Sequence, residues 1–311
     1  VCQYKYESDY PSIKFICKEE CITNSKFCIF HDKDHYADHE KEAMKRFGNI
    51  VTESISKNKP LECMGYYLPH IDFAKLLIQK TFSQPVYFNH ATFYRGANFS
   101  RATFSKEASF DGATFSKEVN FSRATFSKEV RFHKASFSGG ASFDGATFSK
   151  EVNFFRTTFY EGASFDGATF SKEVNFPRTT FYEGASFDGA TFSKEVNFFR
   201  ATFSGGASFD GAKFSKEVRF HKASFSKEAS FIKASFYEGA SFDGAKFLNE
   251  AYFIKNEFTG KTIFRHAIFE QPNKVTFGHS DLSNVSFADT DIPRIRFVDK
   301  IVWAKERTDL R

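Results

Sequence analysis

Tryptophan occurs once in this chain of 311 residues and methionine twice, while phenylalanine occurs 45 times. So skewed an alphabet argues against a pair of ordinary globular domains, the usual expectation for this length, and points to internal repetition. No uninterrupted apolar run reaches about 18 residues, which excludes a helical membrane span within the sequence. Neither charge dominates: 43 Lys+Arg stand against 38 Asp+Glu, a net charge of +5. That balance excludes a polyanionic imitation of DNA, and it lacks the clustered basic footprint of a dedicated nucleic-acid binder. Cysteine is absent after Cys63, and the five present are odd in number and crowded at the amino-terminal end. This excludes a disulfide-stapled secreted scaffold and leads us to expect a reducing, cytoplasmic setting with a metal site. No secretory signal is visible. The chain begins with Val1 and ends in a charged run, so it is expected to be a piece of a longer protein, with any targeting or membrane segment outside it.

What is present is a beat. From Phe88 to Phe269 phenylalanine recurs at alternating intervals of five and six, as in Phe88, Phe93, Phe99, Phe104 and Phe110. Two residues before each stands a small apolar residue such as Ala91, Ala97, Ala102 or Val119. Thr157 and Thr179 are mild departures, and Asn256 is a stronger one. A small-x-Phe triplet is period-two alternation, hence a short strand with both ends inward and its middle outward. The segments between, Ser-Lys-Glu, Asp-Gly and Tyr-Glu-Gly, are corner chemistry. Strands this short cannot make a flat sheet, but they can pair with their equivalents one coil away. Intervals of five, six, five and six close a four-sided coil every 22 residues, and Phe93, Phe115, Phe137 and Phe159 show the step directly. Residues 88–270 should then hold roughly eight coils, a rod of about 40 Å. The eleven-residue half-unit is also compatible with a two-sided flattened coil. After Phe269 an insertion at 271–274 intervenes, and Phe277, Leu282, Phe287, Ile292 and Phe297 follow at a strict interval of five.

With Asp281-Leu282 and Asp291-Ile292 supplying the polar-then-Leu/Ile centre, the chain resembles the pentapeptide-repeat family over about Ile71 to Phe297. Its middle resembles the Phe-rich variety with an extra residue in alternate units. The resemblance implies an all-β, right-handed four-sided β-helix with the central Phe or Leu inside, and it says little about function.

The segment ahead of the repeats holds Cys17, Cys21, Cys28 and His31 within fifteen residues, with Cys2 as a further thiol. Zinc takes four sulfur and nitrogen ligands, and a closed set of that kind is structural. The segment is similar to small Cys/His modules ahead of some microbial pentapeptide-repeat proteins, on the strength of Cys-Ile-Phe-His-Asp at 28–32. That likeness implies a zinc site of Cys2, Cys17, Cys28 and His31, with Cys21 as the substitute ligand. Cys63 reads as a buried free thiol. Residues 38–57 read as an amphipathic helix with Ala43, Phe47, Ile50, Val51 and Ile55 on one face. Module and helix together are expected to cover the open end of the solenoid. The division is thus 1–63 module and capping helix, 64–87 irregular entry coil, 88–270 Phe-rich β-helix, 271–299 five-residue terminal coils and 300–311 tail.

Outward positions also repeat at 22. Thr103, Thr125 and Thr147 read as good strand residues rather than a water-ordering face. Stacked Lys106/Glu107 pairs and their equivalents read as a solubilising edge, and Asp144, Asp166, Asp188 and Asp210, each before Gly, as turn residues. One edge differs: Phe155, Pro177 and Phe199 should point outward, followed by Arg156, Arg178 and Arg200 and preceded by Asn153, Asn175 and Asn197. Tyr94, Tyr160 and Tyr182 stand at another outward place. Aromatic rings edged by Arg are the makings of a protein interface, so Phe155 to Arg200 is the expected partner surface.

These readings favour a non-catalytic scaffold or interaction rod with a protein partner. No nucleophile, carboxylate pair or base–orienter arrangement supports an enzyme, and His133 and His221 stand alone beside Lys134 and Lys222. Some pentapeptide-repeat proteins imitate DNA and shield topoisomerases. Residues 88–270 carry 24 Lys+Arg against 20 Asp+Glu, so this departs from that pattern and a nucleic-acid partner is disfavoured. The remaining alternative is a piece of a larger, membrane-anchored protein whose activity lies elsewhere.

Overall fold

The computed structural model describes residues 1–9, 12–36, 39–76 and 80–303. One coil shows how the sequence makes a wall. Val152–Asn153 lies on the first wall, Thr158–Phe159 on the second, Ala163–Ser164 on the third and Thr169–Phe170 on the fourth. Each pairs in parallel with its equivalent 22 residues on: Val152 with Val174, Thr158 with Thr180, Ala163 with Ala185, Thr169 with Thr191. The four parallel sheets carry 11, 10, 11 and 9 strands among the described residues. The molecule is therefore a four-walled parallel β-solenoid of about 11 coils rather than a two-sided flattened one, because the four strands of each coil join four separate sheets.

Phenylalanine fills the lumen as expected. Within a column the rings stack, with Phe154, Phe176 and Phe198 spaced 4.8 Å apart and nearly parallel. Across the lumen the first and third walls meet edge to face, Phe165 against Phe176 at 5.6 Å and 86°. Aromatic quadrupoles favour both offset stacking and T-shaped contact, so one residue type satisfies both directions. Ala163, Val174 and their equivalents are buried beside the rings, and large against small closes the lumen to native packing. The departures are accommodated chemically: Thr157 and Thr179 donate to the carbonyls of Phe132 and Phe154 at 2.7 Å. Asn256 donates to those of Phe231 and Ala234. A buried polar group that finds a carbonyl avoids most of its desolvation cost.

Leu61–Glu62 already pairs with Val86–Tyr87, so the first coil opens just before the division expected at residue 63. At the other end Asp281 bridges Val302, carrying the pairing past 299; residues 304–311 of the expected tail lie outside the described residues. The insertion after Gln271 forms a short 3-10 turn, Pro272–Lys274. The amino-terminal helix spans Glu40–Ser56, with Asp38 outside the described residues. It buries Ala43, Phe47 and Val51 as expected, but Ser54 takes the inward place assigned to Ile55, which is exposed. Ser54 sits inward because its hydroxyl donates to the Lys59 carbonyl and receives the Gln84 amide of the solenoid. Phe47 meets Phe73 edge to face at 5.9 Å, and Phe73 stacks on Phe99, joining helix and lumen. An antiparallel hairpin, Lys5–Asp9 with Ser12–Ile16, completes the cap. Among the described residues no helix is long and apolar enough to cross a membrane.

Candidate metal centre and outer edges

The hairpin brings Cys2 and Cys17 together: the Cys2 amide bonds to the Glu19 carbonyl and the Cys17 amide to that of Tyr4. A tight turn then places Cys28 and His31 on one side, with the His31 and Asp32 amides both donating to the Cys28 carbonyl at 3.0 Å. All four residues are buried, and their ligand atoms lie within 4.8 Å of one another. Cys17 Sγ is 3.7 Å from Cys28 Sγ, and His31 Nδ1 is 3.5 Å from Cys2 Sγ and 3.2 Å from Cys28 Sγ. A tetrahedral zinc with ordinary Zn–S and Zn–N bonds has edges of about 3.8 Å between sulfurs and about 3.5 Å between sulfur and nitrogen. The donor set therefore fits a tetrahedral metal.

His31 supports the same reading. Its Nε2 lies 2.9 Å from the Met64 carbonyl, which can only accept, so Nε2 carries the proton and Nδ1 is left as the free base facing the thiols. Tyr4 stacks on the imidazole at 3.8 Å and 11°. The Cys17 thiol, then burial, push the Cys28 thiol up to about 12, and burial raises that of Cys2. A cation inverts that logic, since a coordinated thiol is deprotonated outright. Cys21 is not part of the group: half-exposed, it faces the Lys26 carbonyl at 3.4 Å. Cys63 is a buried free thiol, raised well above its ordinary value by burial. The Met64 contact and the Tyr67 amide bonded to the Phe30 carbonyl tie this centre to the first coil, so it sits at the joint of cap and rod.

The structure puts Phe155, Pro177 and Phe199 in one column on the edge between first and second walls, each half-exposed, with Arg156, Arg178 and Arg200 exposed beside them. Each Arg folds over its own ring where there is one, Arg156 at 5.3 Å from the Phe155 centroid and Arg200 at 5.1 Å from that of Phe199. Asn153 and Asn197 fix the corner by accepting the Phe155 and Phe199 amides at 2.8 and 2.9 Å; Pro177 has no such amide. His133 and His221 extend the column, packing on Phe155 and Phe199. Exposed Tyr160 and Tyr182 stack at 5.2 Å on the next edge. The residue after the aromatic adopts a left-handed backbone, with φ of 56° at Arg156, 55° at Arg178 and 54° at Arg200. Local sequence gave no sign of this at a Phe-Arg pair, but the 22-residue frame did, since Gly112 and Gly244 occupy the same place.

On the opposite edge the Asp column is turn chemistry. Asp188 Oδ1 accepts the Asp210 amide at 3.0 Å and the Ser208 hydroxyl, and Asp166 does the same one coil earlier.

The family model for pentapeptide repeats matches in nine copies that together run over residues 81–268. The chain belongs to the pentapeptide-repeat family. Among solved structures it is similar to two trypsin-treated forms of QnrB1, a plasmid-mediated fluoroquinolone resistance protein. One is 15% identical, covering 62% of this chain and 91% of that one, with a TM-score of 0.36. The other is 17% identical, covering 75% and 91%, with a TM-score of 0.34. Scores this low carry nothing about sites or partners. A comparison with curated proteins finds no match.

Proposed function

We propose that this chain is a non-catalytic protein-interaction rod whose working surface is the edge running from Phe155 to Arg200, held rigid by the phenylalanine lumen and closed at one end by a zinc-bound cap. The observation that carries the reading is the edge itself: half-exposed rings and exposed guanidinium groups repeated in register on a backbone pinned by ladder hydrogen bonds. Rigid presentation lowers the ordering cost of binding, and aromatic and Arg side chains are the usual anchors of protein interfaces. At the cap, Cys2, Cys17, Cys28 and His31 would hold the ion, which supplies a fixed tetrahedral cross-link and no chemistry beyond it. Recovery of binding partners by the wild type against Phe155→Ser/Phe199→Ser tests the edge. The double variant should fold and lose most of the recovered protein; equal recovery of every partner removes the proposal.

A further inference from the structure

The two diagonal edges of the rod have the same backbone and opposite chemistry. On the edge between first and second walls, the left-handed position is filled in successive coils by Gly112, Lys134, Arg156, Arg178, Arg200, Lys222 and Gly244. On the edge between third and fourth walls, it is filled by Arg123, Gly145, Gly167, Gly189, Gly211 and Lys233. The residue before it is acidic in the middle coils of the second edge, Asp144 to Asp210, and apolar or basic in the middle coils of the first. A central block of five cations thus lies diagonally opposite a central block of four carboxylates, and that acidic block is bounded at both ends by cations. Gly, Arg and Lys all occupy the left-handed corner, Gly alone without steric cost, so the fold does not dictate where the cations stand.

Beside the acidic edge the third wall is hollow. An open groove of about 1030 Å³ runs over Gly140, Gly162, Gly184 and Gly206 and the Ser column beyond them. None of these four has a positive φ, and a Cβ added to any of them would meet nothing closer than 3.8 Å. The same column carries Glu118 and Glu228 in flanking coils. The backbone therefore has room for side chains here that the sequence leaves out, and what remains is a trough wide enough for another surface to approach.

We propose that the occupant of this groove is a second copy of the chain, seated by its Phe155–Arg200 ridge; this rests on reading that ridge as the interaction edge. Two features support the choice of partner. The ridge carries half-exposed rings and exposed cations, while the groove is lined by small residues with the carboxylates of Glu118, Asp166, Asp210 and Glu228 among them. Both are built on the same coil spacing, 4.8 Å in the ring stacks Phe154–Phe176 and Phe165–Phe187, so the positions of one rod's ridge match the coils of another rod's groove. Ridge and groove lie on different sides of one rod, so the contact is heterologous and does not close: it builds rafts or strings of rods rather than a sealed dimer.

Sedimentation equilibrium on the intact chain tests this. At about 50 mM salt the mass should climb with concentration past that of a dimer, and at about 500 mM it should return to the monomer as screening tightens. Gly162→Arg/Gly184→Arg fills the groove, and Arg156→Asp/Arg178→Asp/Arg200→Asp reverses the ridge with a residue the chain itself uses in a left-handed backbone at Asp289 and Asp299. Each variant alone should be monomeric with an unchanged circular dichroism spectrum, and the two mixed should stop at a one-to-one dimer, because one intact ridge and one intact groove remain. A wild type that stays monomeric at low salt, or variants that assemble as the wild type does, overturn the inference. A monomeric rod that still loses its partners in Phe155→Ser/Phe199→Ser would overturn self-association alone and leave the interaction edge standing.

Discussion

Replacing Phe176 by Ala should cost more than any single change on the outside of the rod. The ring is fully buried, stacks on Phe154 and Phe198 at 4.8 Å, and meets Phe165 and Phe187 edge to face at 5.6 Å. Phe→Ala in a core costs about 3–5 kcal/mol, more where the surroundings cannot collapse. Collapse is blocked here: the Phe176 amide is held by the Asn197 carbonyl at 2.8 Å and the Phe154 amide by that of Asn175 at 2.7 Å, so the wall cannot move inward. The loss should therefore fall at the upper end, about 4–5 kcal/mol. Phe297, half-buried and stacked on Phe277 at 5.6 Å, should lose about 1–2 kcal/mol on the same change. Urea unfolding with an unchanged slope gives both numbers, and hydrogen exchange should place the Phe176→Ala weakness in the coils on either side, as nearest-neighbour stacking requires. A cost at Phe176 no larger than at Phe297 would refute a lumen packed by continuous ring columns.

Native mass spectrometry should find one zinc per chain; Cys17→Ser should release it and loosen the cap, while Cys21→Ser should leave it bound. Gly205→Ala should destabilise the rod by about 1 kcal/mol or more, since the new Cβ would lie 2.3 Å from the Glu183 backbone, whereas Gly184→Ala, with nothing nearer than 3.9 Å, should stabilise it by up to about 1 kcal/mol in urea unfolding. Burial, partly offset by Asp111, lowers the pKa of His133 below its ordinary 6.5. The folded state then binds fewer protons than the unfolded one, so this contribution to stability is full above about pH 6.5 and is lost as pH falls below it. His133→Gln should flatten that acid limb of the stability profile.

The lumen was legible in the sequence because burial there is repeated: a ring every five or six residues leaves one closure, and Thr157, Thr179 and Asn256 departed from it without breaking step. The Cys/His group was legible only with the help of likeness, since spacing left Cys17 and Cys21 open; the hairpin brings Cys17 rather than Cys21 to Cys28 and His31, and its strands carry no repeat to announce them. Ile55 misled because helical periodicity ignores polar partners, and Ser54 had two. The left-handed Arg corners were hidden for a different reason: Phe-Arg is no turn signal, and only comparison with Gly112 and Gly244 across coils exposes the strain-tolerant position. The charge exchange between diagonal edges needs the corners placed in space before it can be seen at all.

Deletion of residues 164–185, one whole coil, tests the 22-residue frame most directly. Small-angle scattering should show a folded rod shortened by one strand spacing, about 4.8 Å, with every remaining ring column in register. Removing 164–188 instead, three residues out of step, should unfold the coils that follow. If both deletions behave alike, whether by folding or by failing, the coil described here is not the unit of this protein.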